Sequence, residues 1–132
     1  MNDSTKNEPV GQRTAPTENQ SFLVDVNNMP WEETPFPGIQ IKTLSHDEET
    51  GASTLLFKFA PGAKTPLHEH MGIEQTFVLE GSLVDHDGEI TAGNYAIRKP
   101  GSVHQAHAPN GSLHIAFFAA KNRMLEDEVI FP

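Results

Sequence analysis

Three side chains able to bind a metal lie within seven residues in the middle of the chain. The segment PGAKTPLHEHMGIEQTFVLEG, residues 61–81, contains His68, His70 and Glu74. In an extended chain, residues i and i+2 project to the same side about 7 Å apart, so the two imidazoles can face one point. Gly72 lets the backbone bend, which would bring the Glu74 carboxylate toward the same centre. The spacing therefore predicts half of a metal site.

A fourth candidate ligand, His104, follows a turn later in the chain. The run AGNYAIRKPGSVHQAH, residues 92–107, places Pro100 and Gly101 shortly before it. Proline ends strand pairing and glycine permits a tight turn, so we expect this turn to direct His104 back toward the half-site. Three neutral imidazoles and one carboxylate suit Fe(II), Mn(II), Co(II), Ni(II), Cu(II) or Zn(II). An octahedral metal would keep two positions open for ligands, whereas tetrahedral zinc would be closed.

Other residues are weaker candidates. His114 lies in an apolar run and is either a pocket base or orienting group, or a hydrogen-bonded structural histidine. His107 is either a partner of His104 or an exposed loop residue. Arg98 and Lys58 are the cations nearest the predicted site, which disfavours phosphorylated substrates and favours a small, weakly charged molecule that chelates through oxygen. The predicted substrate pocket consists of Phe57, Phe59, Met71, Tyr95, Phe117 and Phe118.

Short β-rich runs must position these residues. Turn signals at 50–51, 61–62, 80–81, 87–88, 100–101 and 109–111 separate runs at 21–26, 38–44, 53–59, 74–85, 94–99 and 113–119. This rhythm is typical of an antiparallel sandwich or barrel. Residues 27–38 hold three prolines and predict an irregular connection. Both faces of run 74–85 carry apolar groups, which indicates either a fully covered strand or a dimer interface.

Composition narrows the class of protein further. The 132 residues suit one domain, which we place at 21–132, because residues 1–20 are too polar to pack and are expected to form a flexible arm. No cysteine is present, so a disulfide framework and thiolate metal ligands are excluded, as suits a cytoplasmic protein. A net charge of −9 with scattered basic residues disfavours nucleic acid or an anionic membrane as partner. Neither a signal peptide nor a membrane span is predicted.

The glycine frame around the candidate ligands resembles the two cupin motifs. The first, G(X)5HXH(X)3–4E(X)6G, is met by Gly62, His68, His70, Glu74 and Gly81. The second, G(X)5PXG(X)2H(X)3N, is met in part. Gly93, Gly101 and His104 fit it, but Lys99 stands at its proline and Ala108 at its asparagine. ChrR-like cupins are more similar still, over residues 29–120, through Trp31, Pro37-Gly38-Ile39, Ala60 to Gly81, Ala92 to Asn94 and Pro100 to His104.

The resemblance implies an all-β, single-domain cupin with a double-stranded β-helix, or jelly-roll, barrel. It implies that His68, His70, Glu74 and His104 bind one metal, and that Glu74 is either a fixed ligand or a base. It also implies a non-haem Fe(II) dioxygenase that cleaves carbon–carbon bonds in diketone- or hydroxyketone-like substrates, and a homodimer. Alternatives are a ligand-sensing cupin without catalysis and an oxygen-independent isomerase or lyase. A stand-alone ChrR-type regulator is disfavoured, because residues 1–28 lack the Cys and His ligands of its zinc domain.

Overall fold

The computed structural model describes residues 19–125 as an almost entirely β domain. The predicted arm at 1–20 therefore lies almost wholly outside the described residues, as does the end of the C-terminal tail. A 3-10 turn spans Val26–Asn28, and the strands are β1 Glu32–Glu33, β2 Ile39–His46, β3 Ser53–Phe59, β4 Ala63–Lys64, β5 His68–Glu69, β6 Glu74–Asp85, β7 Gly88–Thr91, β8 Tyr95–Arg98, β9 Val103–His104, β10 His107–Ala108, β11 Ser112–Phe118 and β12 Arg123–Met124. No helix within residues 19–125 is long and apolar enough to cross a membrane.

Most strands fall where alternating runs predict them. β3 and β6 have the predicted bounds 53–59 and 74–85, and β2, β8 and β11 differ from prediction by one or two residues at their ends. The strand predicted at 21–26 is wrong, because the described chain offers it no ladder partner and Val26 begins the 3-10 turn. The Val26 carbonyl oxygen instead accepts a hydrogen bond from Lys42 Nζ at 2.8 Å.

The strands form one large curled antiparallel sheet and one small sheet. The large sheet runs β1-β2-β3-β11-β6-β10-β4, with β7 and β8 also paired to β6. β6 links its two parts, since Glu74 to Phe77 pair with β8 and Ser82 to Asp85 pair with β7. Gly81 lies between these halves with φ +72°, and a Cβ there would overlap the Gly111 carbonyl oxygen. Only glycine fits this position, which explains the last glycine of the first motif.

The concave side of the large sheet holds the core and the candidate ligands. On β6 the side chains of Glu74, Thr76 and Val78 are buried, whereas Phe77 and Leu79 are exposed. The core consists of Phe36, Ile39, Ile41, Leu55, Phe57, Phe59, Ala63, Val78, Leu83, Ala108, Ala116 and Phe118. The small sheet, β12-β5-β9, carries His68 and His104 on its paired strands β5 and β9. The domain therefore buries polar ligands beside a largely aromatic and aliphatic core.

Candidate metal centre

Strand pairing brings the first and second motifs together. In the small sheet His68 is the direct partner of His104 across the antiparallel β5–β9 pair. The next residues are also joined, because the His70 amide donates to the Ser102 carbonyl at 2.9 Å and the Gly101 amide donates to the His70 carbonyl at 2.7 Å. The turn at Pro100-Gly101 thus lies against the HxH segment and holds His104 over it.

The three imidazoles converge. Their ring centroids are 4.6 to 4.9 Å apart, and their candidate ligand nitrogens all lie within 4.8 Å of one another. His68 Nδ1 lies 2.9 Å from the Pro66 carbonyl oxygen, and His104 Nδ1 lies 2.8 Å from Asp85 Oδ2. These contacts leave Nε2 of both rings free to bind a metal, the usual arrangement for histidine ligands. The residues therefore offer a three-histidine site that could bind a metal.

His70 supplies a direct test of whether these residues fit a metal. Its ring is 0% exposed, and neither nitrogen makes a well-placed hydrogen bond within the described chain, although Glu74 Oε1 lies 3.5 Å from Nε2. A buried polar ring without partners costs free energy, and a cation held by the three imidazoles would remove that cost. The donor set of neutral nitrogens, with a carboxylate beside it, is one that divalent transition metals accept.

Glu74 lies at the edge of the histidine cluster. Its Oε1 is 3.5 Å from His70 Nε2, and the residue is 9% exposed. The bend that positions it depends on Gly72, since a Cβ there would come within 2.9 Å of the Ala120 nitrogen. The backbone is fixed on the same side, because the Ala119 amide donates to the Ile73 carbonyl at 2.9 Å. Glu74 thus lies close enough to join the cluster with a small movement, and its role as fourth ligand or base stays a prediction.

Burial keeps the cluster neutral. It lowers the pKa of His68, and it lowers the pKa of His70 to about 3, with further contributions from His68, His104 and Arg98. Burial also lowers the pKa of His104 to about 4, against the opposing effect of Asp85. Conversely, burial raises the pKa of Glu74 to about 7, opposed by the Arg98 charge. At neutral pH the imidazoles are unprotonated and ready to bind a cation.

Asp85 is a site residue that the sequence did not reveal. Its carboxylate is 3% exposed, and its Oδ2 accepts from His104 Nδ1 and from Arg98 Nη1, both at 2.8 Å. Burial acts to raise the pKa of Asp85, but the bonds to His104 and to the Asp87 amide and the Arg98 charge outweigh it, so the net pKa is lowered. The carboxylate therefore holds His104 in one tautomer, with Nε2 directed away from it. In the sequence Asp85 ends the apolar run 74–85 and begins a turn, and no ligand spacing connects it with the histidines.

A cavity connects the cluster with the core. Its wall includes three of the predicted pocket residues, Phe57, Phe59 and Phe118. The prediction is corrected for Met71, Tyr95 and Phe117, which are 53%, 52% and 43% exposed and lie outside the lining. Tyr95 and Phe117 occupy the outward positions of β8 and β11, and Met71 lies in the bend before β6. The rest of the wall is formed by Phe36, Thr65, Pro66, His68, Glu74, Thr76, Leu83, Arg98, His104, Ala106, His114, Asn122 and Met124.

His114 faces this cavity as a buried ring. It is 5% exposed, stacks on Phe57 with centroids 5.0 Å apart, and meets Phe59 edge-on. Its Nδ1 lies 2.5 Å from Ser112 Oγ, and burial lowers its pKa to about 3. It is not among the three histidines that converge. Its role as a base or orienting group stays a prediction.

The remaining candidates separate clearly. His107 lies in β10, half-buried, and Asp85 rather than His107 is the partner of His104. Lys58 lies outside the cavity, with Nζ 5.4 Å from the Trp31 ring centroid.

Asn122 is a cavity residue that the sequence did not indicate. It lines the cavity with a buried Oδ1 that has no well-placed hydrogen-bond partner among residues 19–125, although its proximity acts to raise the pKa of His70.

The chain matches one protein family over most of its length. The profile of the ChrR cupin-like domain matches residues 19–122, most of the chain. The chain belongs to the ChrR cupin-like family. This confirms the predicted cupin fold. Curated protein sequences contain no match to this cupin.

Solved structures of several other proteins share the fold of this cupin. A cupin-like protein of unknown function from Ralstonia eutropha JMP134 is 28% identical, with TM-score 0.62, over 66% of this chain and 63% of that one. An acetylacetone dioxygenase from Acinetobacter johnsonii shares 21% identity and TM-score 0.70, over 91% and 87%. A chain of the Rhodobacter sphaeroides SigE complex with the anti-sigma factor ChrR shares 24% identity and TM-score 0.60, over 70% and 50%. The chain thus spans less than two thirds of the Ralstonia protein and of the chain from the ChrR complex. The likenesses to the acetylacetone dioxygenase and to the ChrR complex concern the fold alone.

Proposed function

We propose that this cupin is a mononuclear metal-dependent dioxygenase that acts on a small diketone- or hydroxyketone-like substrate. The observation that carries the proposal is the convergence of the buried His68, His70 and His104 beside a cavity, with neither nitrogen of His70 in a well-placed hydrogen bond among the described residues. Three histidines fix a cation while leaving coordination positions for other ligands. The likeness in fold to an acetylacetone dioxygenase supports the substrate class.

The residues of the chain have separate tasks in this proposal. His68, His70 and His104 would bind the metal, for which we propose Fe(II), and Zn(II), Ni(II), Mn(II) or Co(II) would suit the same donors. When bound, such an ion supplies a Lewis acid for substrate oxygens and, as Fe(II), electrons for dioxygen. Glu74 would complete the ligand set or accept the proton of the acidic carbon between two substrate oxygens. Phe57, Phe59 and Phe118 would exclude bulk water from the cavity.

Oxygen consumption tests this proposal. Metal-free protein reconstituted with Fe(II) under anaerobic conditions is expected to consume oxygen when a diketone and air are supplied. His104→Ala is expected to lose both bound iron and turnover, whereas His46→Ala, at the exposed end of β2, is expected to keep both. Absence of oxygen uptake across a panel of diketones and hydroxyketones, with each of the five metals, would count against a dioxygenase.

Two alternatives make different predictions. A cupin isomerase or lyase would convert substrate equally well with and without oxygen, since the metal then acts as a Lewis acid only. A sensing role, suggested by the likeness in fold to the ChrR complex, would show a stoichiometric protein partner and no turnover. The aromatic cavity beside the histidine cluster suits a small organic ligand in each of the three roles, so oxygen dependence and turnover decide among them.

A further inference from the structure

Among the described residues that line the cavity, Arg98 is the one arginine or lysine. Its side chain is 13% exposed, and its Nη1 donates to Asp85 Oδ2 at 2.8 Å. Its Nε is buried with no hydrogen-bond partner among residues 19–125. A guanidinium has five N–H donors, so the contact with Asp85 leaves most of them unused. Buried donors of this kind are costly unless another group accepts from them.

The position of Arg98 relates it to the candidate ligands. It pairs directly with Glu74 across β8 and β6, with its side chain on the inner face. Its charge lowers the pKa of all three clustered histidines and of Glu74, so its field reaches each of them. Asp85 pairs with this charge through one oxygen, which Arg98 Nη1 and His104 Nδ1 share. The buried Nε of Arg98 is left without an acceptor among residues 19–125, so a ligand entering beside the histidines meets an unused guanidinium donor.

We propose that Arg98 binds the carboxylate of the substrate, and that the diketone-like substrate is a small 2-oxo carboxylic acid, in which a carboxylate takes the place of one ketone. This rests on the proposed function, and it narrows the substrate class for the same site. A 2-oxo acid carries adjacent oxygens for metal chelation together with a full negative charge. Arginine recognises carboxylates through planar, paired donors, which an uncharged ketone cannot match.

Two probes of equal size isolate the contribution of the charge. Pyruvate and 2,3-butanedione have the same number of non-hydrogen atoms and differ by a carboxylate in place of an acetyl group. The full chain loaded with cobalt(II) reports their binding through its visible absorption, which needs no turnover. Wild type is expected to bind pyruvate at least about tenfold more tightly than 2,3-butanedione.

Substitutions test whether Arg98 causes the preference for pyruvate over 2,3-butanedione. Arg98→Gln is expected to weaken pyruvate binding about 10- to 100-fold and to change butanedione binding less than about twofold. Arg98→Lys keeps a cation and is expected to retain much of the preference. Lys58→Gln removes a cation outside the cavity and should behave as wild type. Cobalt content is measured for each variant, because Arg98 also contacts Asp85.

Several results would overturn the assignment. These are an equal or better affinity of wild type for butanedione, unchanged pyruvate binding in Arg98→Gln, and an equal loss of both probes at full metal content. The outcome is independent of the oxygenase proposal. Binding of pyruvate through Arg98 without oxygen uptake supports Arg98 and contradicts the oxygenase, whereas oxygen uptake with a neutral diketone and no pyruvate preference does the reverse.

Discussion

The buried imidazole of His114 makes a quantitative prediction about stability. The ring is 5% exposed and packs between Phe57 and Phe59, so protonation inside the fold is unfavourable and its pKa falls to about 3. In the unfolded chain the group has its ordinary pKa of about 6.5. Between these two values the unfolded state binds more protons than the folded state. The free energy of unfolding must therefore fall as pH falls below about 6.5.

The magnitude follows from proton linkage. From pH 7 to pH 5 this one group should reduce the free energy of unfolding by about 2 kcal/mol. The value depends little on the folded-state pKa, because a pKa of about 3 or of about 4 leaves the ring neutral at pH 5. His114→Gln cannot titrate, yet its amide can still pair with Ser112. The other buried histidines titrate in both proteins, so their effect cancels in the comparison.

Urea unfolding of metal-free protein measures this difference. Fluorescence of Trp31, the single tryptophan, follows the transition at pH 7, 6 and 5 in the presence of a chelator. From pH 7 to pH 5 the free energy of unfolding of wild type should fall by about 2 kcal/mol more than that of His114→Gln. His114→Leu serves as a second non-titrating variant if the glutamine packs poorly. A pH dependence equal in wild type and both variants, within about 0.5 kcal/mol, would refute the argument that the cavity excludes the charged ring.

Three further predictions concern the metal site and the sheet. Asp85→Asn removes the charge that holds His104 and should weaken Zn(II) binding about 10- to 100-fold in a chelator competition, whereas unchanged affinity would contradict that role. Zn(II) at about 1,000 times its dissociation constant should stabilise wild type by about 4 kcal/mol in thermal unfolding, and His104→Ala should not respond. Gly81→Ala should lower the free energy of unfolding in urea by at least about 2 kcal/mol more than Gly93→Ala does. Both glycines have positive φ, but only Gly81 lies against the Gly111 carbonyl. Equal losses of stability in the two variants would exclude the overlap as the cause.

Local pattern was sufficient for the long strands and for the HxH pair. Alternation marks β3 and β6, because one side of each strand faces the core. The close spacing of His68 and His70 is local, whereas His104 joins them through the long-range pairing of β5 with β9. The predicted strand at 21–26 failed because alternation alone provides no ladder partner.

Tertiary structure decided everything that depends on which segments meet. Asp85, Arg98 and Asn122 reach the cavity region from three different segments, and no local spacing connects them with the histidines. The same holds for Tyr95 and Phe117, which are aromatic but face outward because of strand parity. The sequence by itself determined the types of ligand and the long strands such as β3 and β6, since both follow from residue chemistry and period-two alternation. Only the fold decided which charges surround those ligands and which apolar face stays exposed, because long-range strand pairing sets both.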